Sequence, residues 1–200
     1  LVAARPDEHR VVAVESKIAE LAGLGQQLVR IRVGGVLADL DELPFPDREL
    51  VGGEYPFRSI RMKSFFASRG CPYNCSYCFN SAFNAMHKGK GKILRRRSVE
   101  NLIREIEQVK ARYRMDFLRF GDDNFVMGYD AWTEEFVEKY RSRVGVRFYC
   151  LINPNLVDEQ LVKALRSAGC HSVMIGIESG SEAVRRKVLG RHMSDQTLKE

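Results

Sequence analysis

An α/β fold with a parallel sheet is predicted for this chain, and three observations predict it. From Met62 onward, short apolar runs alternate with amphipathic stretches long enough to be helices. Four such pairs follow one another, and each apolar run ends in a polar turn rich in Gly, Asn, Asp or Cys. Strands alternating with helices call for right-handed crossovers between parallel strands. Both a (β/α) barrel and an open doubly wound sheet have this pattern, and periodicity does not separate them.

The elements justify themselves in order. Val11, Val14, Ile18, Leu21 and Leu28 recur at helical spacing, and Leu28 to Val36 alternates like a short strand ended by Gly34 and Gly35. Residues 1–36 therefore read as a helical lead-in or the tail of an upstream domain. Residues 37–61 turn to acids, prolines and glycines, an extended linker in which Leu43 and Phe45 are the expected anchors. The core, residues 62–200, opens with a strand over Ser64–Ala67. A helix over Val99–Tyr113 follows, capped by Ser98, and then a strand over Phe117–Phe120. Asp130 caps a helix reaching Arg143, Val146–Ile152 is the third strand, and Asp158 opens a helix that Gly169 closes. Ser172–Ile177 is the fourth strand, and Ser181 caps a helix running to Leu189.

Composition narrows the class. With 200 residues, 44% of them hydrophobic, the chain is long enough for one domain-sized core or part of a larger one. Charged residues interrupt every apolar run well short of a membrane span. The net charge of +6 is modest, and much of it lies in Lys88–Arg97, read as an anion-facing or solvated loop rather than a nucleic-acid surface. Five cysteines, an odd number with no secretory signal, fit reduced thiols in the cytoplasm. The chain starts at Leu1 without a methionine and stops at Glu200, as a fragment would.

Three of the five cysteines carry the chemistry. Cys71, Cys75 and Cys78 fall within eight residues, in a loop that Gly70, Pro72 and Asn74 can bend around an iron–sulfur cluster. Three ligands leave one iron of a four-iron cluster open, as catalytic metal sites keep a position free. Zinc is the competing reading, but it wants a fourth ligand at short spacing and the nearest is His87. Cys150 and Cys170 read as buried apolar side chains, and His87, His171 and His192 as ordinary polar residues.

Cys71-x3-Cys75-x2-Cys78, with Tyr77 and Phe79 flanking the last cysteine, resembles the cluster loop of the radical S-adenosylmethionine (SAM) enzymes. The lead-in Ser68-Arg69-Gly70-Cys71-Pro72 resembles the branch of that superfamily with B12-binding domains. The resemblance runs from Asp39 to Met193 and implies a partial (β/α)6 TIM-type barrel, of which the first four βα units are present. It implies a 4Fe-4S cluster on the three cysteines and S-adenosylmethionine on the open iron, cleaved reductively to a 5′-deoxyadenosyl radical. It also implies an electron donor such as flavodoxin or ferredoxin and a small-molecule substrate of unknown identity.

The remaining site residues come from the same resemblance. Tyr77 and Phe79 are candidate adenine contacts. Gly121, Asp122 and Asp123 stand where relatives meet the SAM amino group, with Gly-Asp-Asp in place of Gly-Gly-Glu. Glu178 and Ser179, in Gly176-Ile-Glu-Ser-Gly-Ser181, stand where relatives bind the ribose or methionine part. Asn153 replaces an arginine common in the branch. Cobalamin-linked methyl transfer or ring chemistry is the implied reaction, with cobalamin held by a domain outside this sequence, which lacks Asp-x-His-x-x-Gly. A tRNA methylthiotransferase is the second enzyme reading, and a non-catalytic iron–sulfur or zinc carrier is the reading from another class.

Overall fold

The computed structural model describes residues 35–48 and 59–199. The helix and strand expected between Val11 and Val36 lie outside these residues, except for the end of that strand, which has no regular structure.

Six strands and five helices are present among the described residues. The strands are β1 (Met62–Phe65), β2 (Ser68–Arg69), β3 (Arg95–Arg96), β4 (Phe117–Phe120), β5 (Arg147–Leu151) and β6 (Cys170–Met174). The helices are α1 (Phe79–Met86), α2 (Val99–Arg112), α3 (Ala131–Lys139), α4 (Glu159–Ser167) and α5 (Glu182–Lys187). Strands β1, β4, β5 and β6 form one sheet in that order, every pair parallel. The order follows the chain without reversal. A doubly wound sheet reverses at a switch point, so this progression is that of a barrel wall.

The main elements form where the sequence places them, and local reasons are visible. The side chains of Ser98, Asp130, Asp158 and Ser181 accept from the N–H groups of Asn101, Thr133, Leu161 and Val184. Each cap satisfies a helix donor, a contribution of about 1 kcal/mol. Inward residues of α2 (Leu102, Ile103, Ile106), α3 (Phe136) and α4 (Leu161, Leu165) bury against Phe65, Leu118, Phe120, Phe148 and Cys150 of the sheet. The aromatics interlock: Phe120 stacks on Phe125 at 4.2 Å and meets Phe136 and Phe148 edge-on.

Besides the first strand, which runs over Met62–Phe65 rather than Ser64–Ala67, four details differ from expectation. The helix expected to reach Arg143 is regular only to Lys139, after which Tyr140–Val144 widens into a π-turn. That widening lets the buried Tyr140 hydroxyl donate to the Val146 carbonyl at 2.8 Å. The fourth strand lies at Cys170–Met174, earlier than predicted, because pairing with β5 rather than apolar character sets its ends. In the linker the anchors are Leu40 and Phe45, not Leu43. Leu40 is buried in a 3-10 turn capped by Asp39, Leu43 is exposed, and Phe45 lies beneath the guanidiniums of Arg97 and Arg104.

The fourth difference is the basic run. Its arginine half is neither solvated nor anion-facing, because β3 pairs antiparallel with β2. Arg96 then bridges to Asp130 at 2.8 Å and Arg97 to the buried Glu105. Lys88, Lys90 and Lys92 remain exposed. Among the described residues no helix is long and apolar enough to cross a membrane.

Candidate cluster and SAM site

The cysteine loop after β2, the ends of β4, β5 and β6 and the turn after α5 close on one cavity of about 230 Å³ at the carboxyl edge of the sheet. The loop that supplies the thiols is braced at its base. Asp122, just past β4, accepts from the Ala67 N–H at 3.1 Å, the Ser68 N–H at 2.6 Å and the Ser68 hydroxyl at 2.5 Å. Burial pushes the Asp122 carboxyl above its ordinary pKa, and these hydrogen bonds oppose that rise. Further along, the Asn84 amide donates to the Cys71 carbonyl at 3.0 Å and to Asn74 Oδ1 at 2.9 Å, folding the loop back onto α1. A clasp from the far end of the chain completes the frame. The Ser76 N–H donates to the Leu189 carbonyl at 3.0 Å, and its hydroxyl donates to the Val188 carbonyl at 2.8 Å.

Within this frame Cys71, Cys75 and Cys78 all line the cavity, the first two buried and the third half-buried. Among the described residues no three His, Cys, Asp or Glu side chains are arranged to hold a single metal ion. Tetrahedral zinc at 2.3 Å would draw its sulfurs to within about 4 Å of one another, whereas a cluster takes a wider donor set. Burial pushes the Cys71 thiol up; a backbone hydrogen bond from Tyr73 opposes this, and the charges of Asp123, Cys75 and Cys78 add to it. Converging thiols and a carboxylate call for positive charge in the cavity, which a bound iron cluster supplies. The residues present fit that group.

The structure brings together Tyr77, Asp123, Asn153 and Glu178 with the cysteines. Glu178 is the one non-glycine residue with positive φ among those described, at +68°. Such backbone strain collects at functional sites. Its carboxylate folds over Gly176, where an added Cβ would meet Glu178 Oε1 at 2.5 Å. Asn153 accepts from the Asn155 N–H through its side chain, and its own N–H donates to Asn124 Oδ1 at 2.9 Å.

Four predicted residues are placed elsewhere. Asp122 is committed to the base of the loop, as described above. Gly121 faces the Phe66 ring, 2.8 Å from where a Cβ would stand. Phe79 begins α1, is 70% exposed and does not line the cavity. Ser179 accepts from the Ser181 N–H through its hydroxyl and from Arg185 through its carbonyl.

Arg191 is the site residue that sequence reasoning missed. Its Nη1 lies 3.9 Å from Cys75 Sγ and 3.3 Å from the Tyr77 hydroxyl, while its Nε is buried without a hydrogen-bond partner. Its signal was faint, a basic residue directly after Gly190 and far from any cysteine. Asn80 and Asn124 also line the cavity, Asn80 donating to Cys78 Sγ at 3.6 Å.

Comparison with known proteins adds a family. The sequence profile of the Radical SAM superfamily matches residues 66–199. An uncharacterized methyltransferase of Pyrococcus horikoshii is 27% identical over 150 residues, 74% of this chain and 31% of its own length. Cytidylyl-2-hydroxyethylphosphonate methyltransferase of Streptomyces wedmorensis is 26% identical over 168 residues, 78% of this chain and 30% of its own. The chain thus spans under a third of the length of these relatives. A similar fold is found in the radical S-adenosylmethionine methyltransferase TsrM of Kitasatospora setae, solved with cobalamin and a 4Fe-4S cluster. That match has a TM-score of 0.55 at 21% identity, over 69% of this chain and 27% of TsrM. A TsrM structure with tryptophan substrate and a SAM analogue matches at a TM-score of 0.56 and 22% identity, over 72% and 28% of the two chains.

Proposed function

The chain belongs to the Radical SAM superfamily, and from that premise we propose that it is the cluster-bearing part of a cobalamin-dependent methyltransferase acting on a small molecule. The observation that carries this reading is the convergence of Cys71, Cys75 and Cys78 on one cavity with carboxylates and a guanidinium. A bare cluster carrier has no use for that mixed lining. When bound, the 4Fe-4S cluster supplies the electron for reductive cleavage of S-adenosylmethionine.

The chain's own residues do the rest. Cys71, Cys75 and Cys78 would hold the cluster. Arg191, whose Nε lacks an acceptor, takes the carboxylate of the SAM methionine part, and Asp123 and Glu178 accept from its ammonium. Tyr77 and Asn153 remain for the adenine and ribose. Methyl transfer, rather than methylthiolation or ring chemistry, is supported by the methyltransferase names of both curated relatives and by the TsrM fold. Cobalamin would be held by a domain outside this sequence. An acidic electron donor such as flavodoxin or ferredoxin serves the cluster, in the cytoplasm.

Anaerobic reconstitution with iron and sulfide tests the reading. The dithionite-reduced protein is expected to show a paramagnetic signal that changes when S-adenosylmethionine is added, and Cys75→Ala is expected to lose it. A signal indifferent to S-adenosylmethionine overturns the proposal.

A further inference from the structure

The sheet face turned away from the helices carries polar groups that the cluster cavity does not use. Side chains alternate along a strand. The register that buries Leu118 and Phe148 against the helices therefore turns Arg119 and Tyr149 to the opposite face. Ser64, Arg119, Tyr149 and Ser172 are register partners on β1, β4, β5 and β6. They form one rung of polar side chains across the whole sheet. Two residues further along their strands, Leu151 and Met174 line the cluster cavity. The rung thus lies about 7 Å below that lining, at two strand residues of roughly 3.3 Å each.

Contacts to this rung are few: the Tyr149 ring lies 6.1 Å from that of Phe117, and Arg48 donates to the Ser64 carbonyl. The Arg119 guanidinium and the hydroxyls of Ser64, Tyr149 and Ser172 have no hydrogen-bond or ion-pair partner among the described residues. The rung contains no acid, so its one charge is positive. Other arginines of this domain are held: Arg96 by Asp130, Arg97 by Glu105 and Arg143 by Glu100 and Glu107. Arg119 sits instead in mid-strand on the face turned away from the helices, exposed and with no acid beside it on the rung. A planar fork of donors matches a carboxylate or a phosphonate two-pronged, and the neighbouring hydroxyls add adjustable donors around it.

We propose that Arg119, flanked by the hydroxyls of this rung, anchors an anionic group of the substrate, a carboxylate or a phosphoryl or phosphonyl oxyanion. The proposal rests on the enzyme reading above and deepens it, because it names the substrate class. With the anion held on this face, the reacting part of the molecule points up toward the cavity of Cys71, Cys75 and Cys78.

The test is an anaerobic NMR titration of the reconstituted chain with methylphosphonate and, separately, with acetate. Ethanol and N-methylacetamide serve as neutral controls. One anion is expected to bind, with Arg119→Gln weakening it roughly ten-fold and Arg119→Lys, which keeps the charge but not the fork, recovering only part of the loss. Preference between the two probes distinguishes the phosphonyl from the carboxylate source. Equal binding by wild type and Arg119→Gln overturns the proposal, as does equal binding of the neutral controls. The SAM-dependent cluster signal, measured on the same samples, separates the two readings. If it is intact while anion binding ignores Arg119, only the substrate inference fails. If it is absent while anions still bind through Arg119, the enzyme reading fails and the anion site stands. Arg119 is exposed and has no ion-pair partner among the described residues, so its replacement leaves folding intact, which the far-ultraviolet circular dichroism verifies.

Discussion

At Gly70 the backbone enters the cysteine loop with φ at +85°, and a Cβ there would stand 2.2 Å from the Ile93 carbonyl oxygen. Both the conformation and the space demand glycine, and the obstacle is backbone, which cannot swing aside. Gly70→Ala is therefore expected to cost about 2–4 kcal/mol in chemical denaturation and to lower the iron bound on reconstitution. Wild-type stability and iron content in this variant would disprove the role. The residues legible in sequence were those with a fixed spacing, above all the three cysteines. Glu178 was legible for another reason, since an acid directly after an apolar run has no place in a core. Arg191 was not legible, because its position depends on how the turn after α5 packs against Tyr77 and Cys75, across 114 and 116 residues of sequence. Asp122 misled for a related reason. Two adjacent acids at a strand end look alike in sequence, yet alternation buries one under Ala67 and Ser68 and leaves the other facing the cavity.

Among the elements, those with a buried face were readable and those without one were not. The helices α2 and α4 present regular apolar stripes to the sheet and formed where periodicity placed them. By contrast α1 buries no side chain, and its short Asn- and Ser-containing sequence gives little helical signal. The antiparallel pair of β2 and β3 joins only two residues per strand, too few for alternation to register. Between α2 and α3 a network of surface charges adds a pH dependence. Arg143 and Lys139 hold the Glu100 carboxyl down at about 2, and Arg143 also lowers Glu107. A depressed carboxyl pKa stabilises the fold above the ordinary carboxylate range, and that contribution fades as pH falls toward the folded-state value. Arg143→Ala should lower the melting temperature at pH 7 by roughly 1–3 °C. Near pH 2 the difference should vanish. A gap that persists at low pH would show that Arg143 acts through packing instead.

Across the whole molecule, charge is sorted along the chain. Between Glu54 and Glu100 there is no acidic residue, while ten are basic, and the rest of the chain is net negative. Arg95, Arg96 and Arg97 are held internally, which leaves Lys88 and Lys92 exposed beside α1 and the cysteine loop. A surface of this sign favours an acidic electron donor, with steering that salt suppresses. Lys88→Glu/Lys92→Glu should slow cluster reduction by flavodoxin about ten-fold at low ionic strength, leaving reduction by dithionite unchanged. Equal flavodoxin rates in stopped-flow would refute the steering. The clasp between Ser76 and the Val188 and Leu189 carbonyls spans more than a hundred residues. On a ribosome adding about 5–20 residues per second, the cysteine loop emerges seconds before the turn that braces it exists. The thiols are thus displayed early and framed late, so iron delivered during synthesis meets an open loop. Metal loading of this protein is expected to follow translation of Gly190 rather than accompany it.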